Sequence, residues 1–190
     1  ILIKLSPLID IQHLVSSLQN IYKIWIIAVK NEVKEVLVYL KKKENRPEIS
    51  CINLQSSEPE FYFNLDNEKH CQSEFSIPKK YIYIPNNSVL KSGAFNLVSE
   101  KFGLRKLHQN THIYTSEEKI EHFPGRIFET EEINSKAIKK GEQFNIITKN
   151  FPLKPEEIKK KYKIKDGGNQ YLIAVKSLSG NHFLVGKLLD

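Results

Sequence analysis

Two apolar runs on either side of a stretch with helical spacing constrain this chain more than any other feature. Ile1-Leu2-Ile3-Lys4-Leu5 and Ile24-Trp25-Ile26-Ile27-Ala28-Val29 each read as a strand. Between them Ile11, Leu14, Val15 and Leu18 recur at i, i+3, i+4 and i+7, Asp10 stands at the N-cap position and Asn20 is a stop. Strand, helix, strand is one βαβ unit of a mostly parallel sheet. An apolar strand of this kind ordinarily lies between neighbours with both faces covered, whereas a free terminus is polar and mobile. The first strand is therefore expected to belong to a C-terminal piece whose partner strands lie upstream. The alternatives are a chain trimmed by processing or a terminal strand on a sheet edge.

The rest of the chain reads as alternating elements and breaks. Residues 31–40 stay ambiguous: Val33, Val36, Leu37 and Leu40 fit a helix, while Lys30-Asn31-Glu32 could turn a hairpin into a strand through Val36 and Val38. Ile49 to Leu54 is a further strand after the polar run from Lys41 to Pro47, in which Lys41-Lys42-Lys43 reads as a solvated loop. From about 56 to 80 the composition is linker-like, interrupted by the aromatic strand Phe61-Tyr62-Phe63, and a domain boundary is expected there. Tyr81 to Ile84 is a short strand, and Ser88 caps a helix running to Phe102 with Gly103 after it. From Arg126 the pattern becomes regular: strand 126–131, helix 135–140, strand 144–149, helix 155–163, then a hairpin of 171–177 with 182–188, a βαβαββ sandwich.

Composition excludes some classes. The longest apolar runs fall far short of the roughly 20 residues that span a bilayer. Cys51 and Cys71, with no CxxC or Cys/His cluster near them, read as reduced thiols of a cytoplasmic protein. No Ser/His/Asp triad, P-loop or paired-carboxylate pattern is present, so no catalytic or metal-ligating residue is assigned. The net charge of +7, from 29 Lys and Arg against 22 Asp and Glu, suits a polyanion partner.

Several strings in order carry a family resemblance: Lys4-Leu5-Ser6-Pro7-Leu8-Ile9-Asp10; Tyr83-Ile84-Pro85-Asn86 with Leu90-Lys91-Ser92-Gly93-Ala94-Phe95; Gly103 through Thr115; Phe123-Pro124-Gly125-Arg126; Asn150-Phe151-Pro152-Leu153; and Gly167-Gly168 before Tyr171-Leu172. Together they resemble the C-terminal half of bacterial class I S-adenosylmethionine-dependent methyltransferases that end in a THUMP-like domain. The resemblance implies an α/β plus α+β chain, with the closing strands of a Rossmann-like methyltransferase sheet at 1–56, a linker and ferredoxin-like region at 57–125 and a THUMP-like domain at 126–190. It also implies that the glycine-rich loop, the acidic ribose ligand and the acidic-proline motif lie outside this chain. The chain would then bind no cofactor itself, and S-adenosylmethionine would belong to the parent protein.

Within that frame, Lys4, Ser6, Pro7 and Asp10 are candidates for the edge of a substrate pocket, or else a turn and an N-cap. His108, Asn110, His112 and Tyr114 alternate, so an extended segment would put them on one face, either to contact RNA together with Lys106 or to pin a loop. Arg126, Lys139, Lys140, Lys159, Lys160, Lys161, Lys163 and Lys165 concentrate charge in the last segment, where 13 Lys and Arg face eight Asp and Glu. They read as phosphate contacts or as solvated helix ends. The partner implied is RNA, of tRNA or rRNA type, with no membrane and with self-association through the N-terminal strand as a further option. The rival class is a non-catalytic structural or protein-interaction module with a basic surface.

Overall fold

The computed structural model describes residues 1–42 and 47–189, so Lys43 of the lysine run lies outside the described residues. The chain forms two compact units: the first holds residues 1–73, 85–102 and 122–125, the second residues 74–84, 103–121 and 126 onward. Among the described residues no helix is long and apolar enough to cross a membrane.

The first unit contains β1 (Leu2–Leu5), α1 (Ile11–Ser17), β2 (Ile21–Val29), β3 (Glu32–Leu40), β4 (Glu48–Leu54), β5 (Phe61–Asn64), α2 (Leu65–His70), α3 (Asn87–Ser92) and α4 (Phe95–Lys101). Its sheet has the order β1-β3-β2-β4-β5, with only β2 and β4 paired in parallel. The expected βαβ unit is therefore split. β1 and β2 run in the same direction, but β3 lies between them, antiparallel to both.

That arrangement settles the ambiguity at 31–40 in favour of the hairpin. Lys30 and Asn31 both take positive φ, 48° and 65°, the two-residue turn whose twist matches the flanking strands. Val36 and Val38, fully buried, then point into the core with Ile24, Ile26 and Ile49. Among the described residues β1 has β3 as its strand partner, in an antiparallel pairing, and Ile1 and Leu2 are exposed. The sheet is covered on one face, where α3 lies over β2, β3 and β4, while Trp25, Ile27 and Leu37 on the opposite face are half-buried.

Two further expectations change. Within the stretch expected to be linker-like, residues 65–70 form α2, whose Glu68 carboxylate accepts the Asn96 and Leu97 backbone N–H groups at 2.9 and 2.7 Å. The helix expected from Ser88 to Phe102 is two helices, broken at Gly93, which adopts φ 79° in the left-handed region. Its cap is Asn86, not Ser88. Both cysteines are free and buried; burial pushes the Cys51 thiol up to about 12, against the Ser92 hydrogen bond, so it is an unreactive core group.

The second unit is built on a seven-stranded sheet of order β10-β11-β12-β9-β6-β8-β7. Its strands are β6 (Tyr81–Pro85), β7 (Arg105–His108), β8 (Thr111–Ser116), β9 (Gly125–Ile133), β10 (Gln143–Lys149), β11 (Lys165–Ser177) and β12 (Gly180–Leu189). β10 and β11 are parallel neighbours joined through α5 (Pro155–Tyr162), whose buried Ile158 packs with Phe144, Ile164 and Leu172. On the opposite face Ile82, Leu107, Ile113, Phe128, Ile173 and Leu184 form the second core. Residues 126–190 are thus no closed sandwich, because their sheet continues through β9 into β6, β8 and β7. The expected helix at 135–140 is a single 3-10 turn, Ser135–Ala137, capped by Asn134 and closed at Ile138, with Gly141 at φ 90° turning the chain before β10.

Candidate nucleic-acid interface

The candidates near the N-terminus have local partners. Lys4 Nζ meets Glu35 Oε2 at 2.6 Å, Ser6 Oγ accepts the Leu8 N–H in the turn that holds Pro7, and Asp10 Oδ1 accepts the His13 N–H at 2.7 Å as the cap of α1.

The alternating segment from His108 to Tyr114 is not one extended face. The chain reverses at Gln109-Asn110, with the Asn110 N–H donating to His108 Nδ1 at 3.0 Å, so the residues divide between β7 and β8. His108 lies opposite Thr111, and a register irregularity separates it from Lys106, which lies opposite Tyr114. Lys106, His112 and Tyr114 therefore share one side of the hairpin and His108 does not. Tyr114 is fully buried and offers no ring to a base. Lys106 is also buried, 3 % exposed, with Nζ donating to the Gln109 carbonyl at 3.2 Å.

His112 is half-buried beside two cations. Burial, then the charges of Lys106 and Lys149, lower its pKa from 6.5 to about 4. Because the folded state holds this imidazole neutral while the unfolded chain protonates it near 6.5, its contribution to stability is complete above that value and falls as pH drops toward 4. Urea midpoints measured at neutral pH and near pH 4.5 should show this decline, and His112→Gln should reduce it.

The basic residues of the last segment are dispersed. Lys159 is held by Glu156 at 2.8 Å and by the Asp166 carboxylate; Asp166 first and Glu156 second raise its pKa, so its charge is neutralised within the unit. Arg126 lies over the Phe128 ring at 5.5 Å and Lys161 over the Tyr162 ring at 5.4 Å. Lys160, beside Lys161 on α5, is exposed. A different set is brought together. The Gly141 N–H donates to the Lys163 carbonyl at 3.0 Å and the Lys165 N–H to the Glu142 carbonyl at 2.8 Å, which lays the loop carrying Lys139 and Lys140 beside Lys163 and Lys165. All four lysines are exposed. Lys163 ends α5 at φ 54°, turning the chain there.

Two arrangements were not visible in the sequence. One is a cleft of about 540 Å³ bordered by Lys80, Glu129, Glu131, Phe144, Gly186 and Lys187 among others. The other is a relay in which Glu132 Oε1 meets His182 Nδ1 at 2.7 Å and His182 Nε2 meets Ser177 Oγ at 2.7 Å. Its geometry is that of a nucleophilic triad, but Ser177 is 1 % exposed and its Oγ also accepts the Ser179 N–H. A hydroxyl closed off in that way has no path to a substrate, so the relay pins the β11–β12 hairpin to β9. His182 and Glu132 are 50 residues apart, and no spacing rule joins them.

Comparison with known proteins agrees with the organisation of the second half of the chain. Residues 81–124 match a ferredoxin-like domain family and residues 125–186 a THUMP domain-like family. No curated protein matches the chain. Among solved structures, the chain is similar to a provisionally named methyltransferase from Porphyromonas gingivalis W83, with 33% identity and a TM-score of 0.86 over 98% of this chain and 50% of that one. The chain thus carries a ferredoxin-like and a THUMP-like domain and spans half the length of its solved relative.

Proposed function

We propose that this chain is the RNA-binding portion of an S-adenosylmethionine-dependent RNA methyltransferase, with residues 1–56 contributing strands of the methyltransferase sheet. The observation that carries this reading is the joining of Lys139, Lys140, Lys163 and Lys165 at one end of the THUMP-like domain. The likeness to a provisionally named methyltransferase supports it. A cytoplasmic tRNA or rRNA is the partner that such a domain suits.

S-adenosylmethionine does not fit the described residues of the first unit. A nucleotide cofactor at the carboxyl ends of strands needs a glycine-rich first turn, and the first glycine in this chain is Gly93, at a helix end. The work of this chain is to hold the RNA through phosphate contacts that position without reading sequence.

Charge reversal of Lys139, Lys140, Lys163 and Lys165 together to Glu should weaken retention of unfractionated tRNA at least tenfold. The slope of log affinity against log salt should become shallower by roughly 0.9 for each phosphate that is no longer neutralised. If the unaltered chain fails to retain tRNA at about 50 mM salt, where such attraction is strong, the reading is wrong.

One observation favours the second reading, an interaction module. Leu2 lies opposite Tyr39 at the exposed edge of the first sheet, and the Tyr39 ring meets Tyr22 edge-on at 5.8 Å. Sedimentation showing a dimer that Leu2→Lys dissolves, with no RNA bound, would put that reading first.

A further inference from the structure

We infer that the corner of the second unit where the β7–β8 hairpin meets the last residues of β10 and β11 is a second phosphate site, in which Lys149, Lys106 and His112 take one backbone phosphate of the RNA. The inference rests on the RNA reading above and adds a separate ligand site to it.

Three segments of the chain converge here, 101–116, 143–155 and 167–189, and they contain no Asp or Glu. A fourth, 74–76, pairs with the Lys106 backbone, and its one acid, Glu74, is held by Arg105 at 3.1 Å. Hydrogen bonds hold them together. Thr111 Oγ1 donates to the Lys176 carbonyl at 3.0 Å, Asn150 Nδ2 donates to Thr111 Oγ1 at 3.0 Å, and the Leu178 N–H donates to the Leu107 carbonyl at 3.0 Å. Lys149 and Lys176 are exposed and, among the described residues, neither makes an ion pair. This distinguishes the corner from α5, where Lys159 is neutralised by two carboxylates.

Two charged groups act on His112, Lys106 from β7 and Lys149 from β10, both positive. Lys149 is placed to contact the anion directly, Lys106 adds its field from a buried position, and His112 can donate a hydrogen bond once protonated. A bound phosphate would offset both lysine charges, so the same groups that now resist protonation of His112 would cease to do so. Binding and protonation are then linked, and RNA should bind more tightly as pH falls through the raised midpoint of the complex toward about 4.

The site is distinct from the one at Lys139, Lys140, Lys163 and Lys165. β10 begins beside Lys165 and ends at Lys149, a separation of ~20 Å along seven strand residues. One RNA strand can therefore reach both ends, with the β10–β11 edge between them.

The test follows the His112 ring by NMR in the full chain as pH is varied, first alone, then with inorganic phosphate, then with a single-stranded oligouridylate. The expected result is a titration midpoint of about 4 without ligand, moving up by at least one pH unit with oligouridylate. Lys149→Glu should abolish that movement and weaken oligouridylate about tenfold, because it replaces an attraction to one phosphate with a repulsion. His112→Gln should remove the tightening of binding at lower pH. If oligouridylate binds and the His112 midpoint stays where it was, the corner is not a phosphate site, whatever happens at the other end of β10. If phosphate moves the midpoint and no RNA binds, the RNA assignment falls and a free-anion site replaces it.

Discussion

Asn86→Ala is expected to destabilise the first unit by about 3 kcal/mol, because it removes a helix cap and a hydrogen bond to a carboxylate. Asn86 is 2 % exposed. Its Oδ1 accepts the Ser88 and Val89 backbone N–H groups, both at 3.1 Å, and the Ser88 hydroxyl at 2.7 Å. Its Nδ2 donates to Glu58 Oε2 at 2.8 Å, an oxygen that also accepts from Asn53 Nδ2 at 2.8 Å. Asn53 in turn accepts the Asn31 N–H at the β2–β3 turn. Truncation leaves the start of α3 uncapped and takes one donor from a carboxylate drawn partly out of water. Asn86→Asp should recover the cap while setting two carboxylates against each other, so its stability should fall between wild type and alanine only at low pH, where one of them is protonated. Trp25, the single tryptophan, lies in the first unit, and its fluorescence in urea reads this destabilisation directly.

Gly186→Ala is expected to destabilise the second unit by about 2–4 kcal/mol, at the upper end of what overpacking costs. Gly186 lies in β12 opposite Tyr171 of β11 and Thr130 of β9, so a strand flanks it on each side. A Cβ there would sit 2.5 Å from the Glu129 carbonyl oxygen and 2.6 Å from Thr130 Cγ2. The first of these is backbone in a paired strand and cannot rotate away. Relief requires β9 and β12 to separate, which disturbs the packing of Phe128 and Leu184 in the core beneath. Far-ultraviolet circular dichroism in urea should show an earlier midpoint, and amide exchange in β9 and β12 should accelerate. Stability equal to wild type would mean that these two strands are not in the observed register.

Local signals were legible in the sequence where one residue type answers one local need. Asp10 caps α1, and Pro155 with Glu156 and Glu157 starts α5. The hairpin at the end of the chain was legible because its two strands pair across a tight turn. At 31–40 the apolar spacing served helix and strand equally, and the choice was made by a turn at Lys30-Asn31 whose Asn31 also receives the Asn87 N–H from 56 residues away. The same limit applied to the interface. Alternation in the sequence put His108, Asn110, His112 and Tyr114 on one face, but a two-residue turn and a register irregularity divided them.

The sequence alone determined the sign of this protein's charge and the position of its lysines along the chain, the starts of α1 and α5, and most of its strand segments, because capping and apolar periodicity act over a few residues. The tertiary structure alone decided which of those lysines keep their charge free. Lys159 is neutralised by Asp166 across a turn, whereas Lys149, exposed at the end of β10, makes no ion pair among the described residues. It also decided that β1 pairs with β3 and not with β2, and that β9 to β12 share their sheet with β6, β7 and β8. The physical reason is the same in each case: strand order and Coulomb energy depend on distances in space between residues far apart in the chain, and no local pattern encodes those distances.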